Sequence, residues 1–273
     1  MIPLQKLLWA ASERAFLEQG SSLLVGPAVR IGDALQWRTA GEVLTAYGFD
    51  AAGAGTVDVL RFERSPLTDV SIPRPGDPSW SAGYGTGFLR GPGAVPVWNV
   101  AATVMPRDAE IWRIHADGQQ EFVAGYGGPA VGWRDTGVFV PPTMLVGPRA
   151  EWQGREYVAT WVDATHIELV TLSRETLDGF TQTRPFVFSR VVEAASCSRL
   201  FENSFTGTWQ GIPCTLVQSN QDEAAILLST DAARAAQMGA VELEPGIYWH
   251  LVPRAEITDI QGLTRQLPPP TNA

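Results

Sequence analysis

The sequence predicts an α+β protein, predominantly antiparallel β: an N-terminal helix plus sheet, a β-rich middle unit, then two tandem small β-β-β-α-β-β modules. Three observations predict it. Trp152-Gln153-Gly154 returns as Trp209-Gln210-Gly211, and the stretches after each copy match for about fifty residues. Short runs rich in β-branched and apolar residues alternate with Gly, Pro and Asp turns. A 3.6-residue apolar period stands at the N-terminus.

That period covers residues 4–19, where Leu4, Leu7, Leu8, Ala11 and Ala15 share one helical face and Gly20 ends the helix. Short strands are expected at 23–25, 28–31, 34–38, 43–47 and 56–62, completing an N-terminal unit of residues 1–64. Residues 65–93 form a Pro/Gly-rich linker or loop. Its Gly83-Tyr84-Gly85-Thr86-Gly87 has the glycine content of a phosphate-cradling loop. No helix pattern opens after it, and such a loop needs helix N–H groups aimed at the anion. The middle unit, 94–147, holds strands at 97–105 and 110–115, a hairpin turn at Asp117-Gly118 and an answering strand at 121–125. Trp133 and residues 138–140 should continue that sheet.

The modules span 148–203 and 204–262. Leu169-Val170-Thr171 aligns with Leu227-Leu228-Ser229, Gly179 with Gly239, Pro185 with Pro245, Phe188 with Tyr248 and Val192 with Val252. In the second copy Asp231 caps an alanine-rich helix that Gly239 stops. A hairpin about Pro245-Gly246 and a last strand at 256–260 follow. With one helix against a small twisted sheet or SH3-like barrel, two copies make a pair of domains and not a solenoid. Residues 263–273 read as a flexible tail.

Composition narrows the function. The formal charge of −9 over 273 residues argues against nucleic acid and suits a protein partner, a basic one included. No apolar run reaches membrane-span length, and the first twenty residues lack a signal-peptide core, so a cytoplasmic protein without membrane contact is expected. Cys197 and Cys214 occupy non-equivalent repeat positions and read as buried thiols. His115, His166 and His250 belong to no metal-binding pattern, so neither a metal nor a cofactor is expected.

Two constellations could carry chemistry. Glu242 and Glu244 lie two apart on one strand face, and Arg113 sits on an earlier strand. ADP-ribosyltransferases use such a Glu-x-Glu with an early arginine, which makes a NAD-directed transferase or glycohydrolase the first alternative. The repeat aligns these carboxylates with Gln182 and Arg184, which reads them instead as exposed turn residues. The second constellation is the tryptophans, 10 in all. Trp9, Trp37, Trp98, Trp112, Trp152 and Trp209 fall in strand or helix patterns and belong to packing. Trp80 and Tyr84 in the Pro/Gly loop, and Trp249 and His250 on the last hairpin, are candidate binding residues. A carbohydrate-binding face of tryptophans is the second alternative.

The Trp-Gln-Gly entries, the exit segment running from Tyr248-Trp249-His250 to Ile257-Thr258-Asp259, and Trp112-Arg113-Ile114-His115-Ala116-Asp117-Gly118 are similar to modules of actinobacterial toxin-immunity and secretion-locus accessory proteins. The resemblance covers residues 110–262. It implies a cytoplasmic, acidic, non-enzymatic protein-binding factor and brings no catalytic motif.

Overall fold

In the computed structural model, which describes residues 2–72, 87–89 and 94–267, the chain is α+β and predominantly antiparallel β. β1 (Ile2–Leu7) is the centre of a seven-stranded sheet, flanked by β2 (Leu23–Arg30) and β3 (Thr56–Arg64). β4 (Val70–Ser71) lies at one end, and a small separate hairpin joins β5 (Phe88–Leu89) to β6 (Val95–Pro96). β7 (Trp98–Val104), β8 (Glu110–His115) and β9 (Gln120–Gly125) complete the order β4-β7-β2-β1-β3-β8-β9. The expected boundary at residue 64 therefore does not separate two sheets, because strands of the middle unit extend the N-terminal one.

The helix expected over 4–19 is corrected. Its first part is β1, and α1 covers only Ala10–Leu17. Leu4, Gln5, Lys6 and Leu7 are all buried, so apolar residues on both faces of a central strand imitated a helical stripe. Leu4 packs with Leu60, Phe62 and Phe16 on one face, and Leu7 with Val29, Val59 and Trp37 on the other. The strands expected at 34–38 and 43–47 are corrected too. Residues 31–34 form α2 (Ile31–Ala34), and α3 (Ala40–Ala46) opens on a capping box between Thr39 and Glu42, a signal present in the sequence. Residues 138–140 form no strand, and Trp133 joins the sheet only through a bridge to Tyr126.

The modules share one larger sheet. The first holds β10 (Gly147–Trp152), β11 (Arg155–Trp161), β12 (His166–Leu172), β13 (Thr181–Arg184) and β14 (Val187–Glu193). The second holds β15 (Arg199–Trp209), β16 (Ile212–Ser219), β17 (Glu223–Leu228), α4 (Ala232–Gln237), β18 (Val241–Glu244), β19 (Ile247–Pro253) and β20 (Ile257–Gln266). In each copy a one-turn 3-10 helix, at Ala194–Ser196 or Arg254–Glu256, leads into the strand that returns to pair with the copy's first strand. That closure is an SH3-like barrel topology. The first copy lacks the expected helix. Its connection, residues 173–180, is four residues shorter than residues 229–240 of the second copy, and it forms turns and bends.

Asn203 pairs with Gly147 of β10 and with Thr264 of β20, so these strands lie on opposite edges of β15. β15 therefore closes the first barrel with its first half and opens the second with its other half. β20 runs along both halves, and residues 263–266, expected in a tail, are strand.

The repeat is visible in backbone detail. Gln153 and Gly154 have φ of 50° and 73°, and Gln210 and Gly211 have 48° and 75°, so both Trp-Gln-Gly segments make two-residue type I′ hairpins. Both later hairpins shift register at matching places, between Gln182 and Arg184 and between Glu242 and Glu244. Gly211 faces open space, so Gly211→Ala should cost only the left-handed strain, about 1 kcal/mol by chemical denaturation. A neutral result would mean that this turn does not hold the register.

Candidate functional site

The two copies use the same hairpin to pack against the preceding part of the chain, with opposite charges: the second meets β1 and α1, the first the loop after β9. In the second copy, Glu244 is buried at 4% exposure and pairs with Lys6, the one lysine of the chain, whose own exposure is 1%. Ser12 of α1 donates to Glu244 at 3.1 Å and to the Leu243 carbonyl at 2.9 Å. Glu244 is thus not the exposed turn residue its repeat position suggested. Glu242 is exposed and accepts the Gly246 N–H at 3.3 Å. In the first copy, Thr183 donates to the Ala130 carbonyl at 3.0 Å and Arg184 Nε to that of Val131 at 2.9 Å. The Arg184 guanidinium also lies 4.6 Å from the centre of the Phe139 ring. Gln182 and Arg184 showed no carboxylates at this position, but they did not show that the position is a contact in both copies.

Two more polar clusters cross the junction. Arg107 pairs with Glu168 at 3.1 Å. Thr103 donates to Glu202, and Arg265 bridges Glu202 to Asp69, 2.9 Å from the latter. Burial pushes the Glu202 carboxyl up to about 7 against the pull of Thr103 and Arg265.

Arg113 lies on β8. Its Nε and Nη2 donate to the two Asp58 oxygens at 2.9 and 2.8 Å, and Nη2 reaches Glu13 at 3.3 Å. The bond to Asp58 raises the guanidinium's pKa, and burial with the Asp58 charge raises that of Glu13. No hydrogen bond or ion pair among the described residues joins Arg113 to Glu242 or Glu244. Nor is any group of three His, Cys, Asp or Glu there placed to hold a metal ion.

Trp249 and His250 are neighbours on β19 and face opposite ways. Trp249 packs at the junction beside Leu23, Val25 and Leu243. His250 turns back into its own barrel, 5.1 Å from the Trp209 ring. Trp80 and Tyr84 lie outside the described residues. Cys214 is buried and Cys197 half-buried, both as free thiols.

A cavity of about 240 Å³ opens where α1, the start of β2, β7 and the second barrel meet, with Arg14, Leu243 and Trp249 in its lining. A different surface lies along β20. Its only ladder partner among the described residues is β15, so its outer edge is bare. Residues 258–264 are exposed, with Ile260 at 44% and Leu263 at 67%. No helix among the described residues is long and apolar enough to cross a membrane. Comparison with family models, curated proteins and solved structures finds no match to this chain.

Two outcomes test the junction. Lys6→Met leaves the buried Glu244 carboxylate uncompensated and should cost about 3–5 kcal/mol, while adding Glu244→Leu should recover most of the loss. Equal losses for the single and double variants, by chemical denaturation, would show that the pair itself is not at stake. Glu202 has a folded pKa raised above its ordinary 4.5. Its stabilising protonation is fully present below pH 4.5 and lost as pH rises through about 7. Glu202→Gln should therefore gain on the wild type by roughly 3 kcal/mol across that window. A difference between the two proteins that stays flat with pH rejects this assignment.

Proposed function

We propose that the chain is a non-catalytic protein-binding factor, acting in the cytoplasm as a toxin-immunity or secretion-accessory protein. The observation that carries the reading is the bare outer edge of β20. Exposed edge strands invite pairing by another chain, and proteins ordinarily blunt them with lysine, proline or inward charges. β20 has neither lysine nor proline, and beyond the bulge at residues 259–260 it runs from Gln261 to Thr264 without a charge. An extended segment of a partner would pair its backbone there and rest side chains on Ile260 and Leu263. The formal charge of −9 favours a basic partner.

The same geometry weighs against the NAD-directed alternative. Arg113 is neutralised by Asp58 and Glu13, and Glu244 by Lys6. A catalytic carboxylate must be within reach of its substrate, and this one is buried against α1. The carbohydrate alternative wants open aromatic rings, whereas Trp37, Trp133, Trp152, Trp161 and Trp209 are buried.

Affinity capture of the tagged protein from its native extract tests the proposal. A stoichiometric partner should elute with the wild type and be lost with Ile260→Lys, Leu263→Lys. Both side chains are exposed, so stability should change by only about 0.5 kcal/mol per site. A partner retained by the double variant would rule out the β20 edge, and absence of any stoichiometric partner would remove the protein-binding reading.

A further inference from the structure

We propose that the cavity beneath the docking hairpin of the second copy binds a small amphipathic carboxylate. Its walls come from both halves of the molecule: Val104 on β7, Val217 on β16, Leu243 on β18 and Trp249 on β19. These supply the apolar part of the lining, against which an apolar body is favoured over water. The volume of about 240 Å³ exceeds the 150 Å³ or so that accommodates benzene, so a medium-length acyl chain or a small ring system fits.

Arg14, exposed on α1, is the only charged residue among the described residues that line the cavity. No carboxylate among those residues forms an ion pair with it, in a chain whose formal charge is −9. A guanidinium presents a planar fork that matches a carboxylate with two parallel hydrogen bonds. One cation balances one negative charge, so the second charge of a phosphate monoester would find no cation among the described lining residues. Gln19, Ser21, Ser22, Thr103, Thr143 and Gln218 add polar groups to the lining. An apolar body inside with a single anionic head at Arg14 is the ligand these groups complement. This site is separate from the β20 edge and stands whether or not a protein docks there.

The test is isothermal titration calorimetry of the full chain with octanoate and, separately, with uncharged 1-octanol. Octanoate should bind with one-to-one stoichiometry. Arg14→Gln should weaken octanoate about threefold to fivefold while leaving 1-octanol unchanged. Val241→Trp, at an exposed lining position, should obstruct the cavity and weaken both. Arg14 and Val241 are exposed, so circular dichroism should show both variants folded. Absence of octanoate binding at about 5 mM, or an octanoate affinity in Arg14→Gln within about twofold of wild type, would overturn the proposal.

Discussion

The structure depends on a charge that cannot be left alone. Lys6 sits near the end of the central strand of the N-terminal sheet, and its side chain is buried. A buried, unpaired ammonium is far too costly to keep. Its partner, Glu244, arrives 238 residues later, on the docking hairpin of the second barrel. The pair therefore ties the N-terminal sheet to that barrel. Gly26 shows how close the approach is: a Cβ there would come within 2.6 Å of Ile247 Cδ1 and 3.1 Å of a Glu244 oxygen. The residue must be glycine for that contact, and its φ of 93° asks for glycine independently.

The repeated parts were legible because their signals are local. Type I′ turns need a residue that accepts positive φ, and Gln-Gly supplied it twice. Asp231 capping α4, the Asp117-Gly118 turn and the strands flanking each Trp-Gln-Gly are of this kind. The N-terminal unit was less legible because a central strand has no solvent face. Leu4 and Leu7 point to opposite cores, and their spacing also satisfies a helix. The capping box at Thr39 was local and readable, but the alternating apolar residues after it suggested strand.

The junction was hidden for a different reason. Repeat alignment treats a position as equivalent when its residue types agree, and Glu244 against Arg184 looks like loss of constraint. The constraint is geometric: each copy turns the same hairpin toward the preceding part of the chain, one meeting an ammonium and the other backbone carbonyls and an aromatic face. Opposite charges at equivalent sites are the expected result when two copies of one module must dock on two different surfaces. Arg149, fully buried, donates to the carbonyls of Thr143, Val146 and Pro148 and lies 3.6 Å from Glu156; it was equally invisible, since its hydrogen-bond partners are backbone atoms with no sequence signature.

Sharing of β15 ties the two barrels together. A strand that closes one barrel and opens the next cannot move in either without disturbing both, and β20 pairs along its whole far edge. Arg265 on β20 then reaches Glu202 on β15 and Asp69 of the N-terminal unit, and Leu267 packs in the first barrel's core. The inner edge of β20 and its C-terminal end are thus fixed by pairing, charge and burial. The outer edge bends at a bulge over residues 259–260, where Asp259 has a φ of 50°, and from Gln261 to Gln266 it follows a regular ladder on β15. A partner strand would find the backbone groups of that stretch already ordered, and the entropy that pairing normally costs would fall on the partner alone.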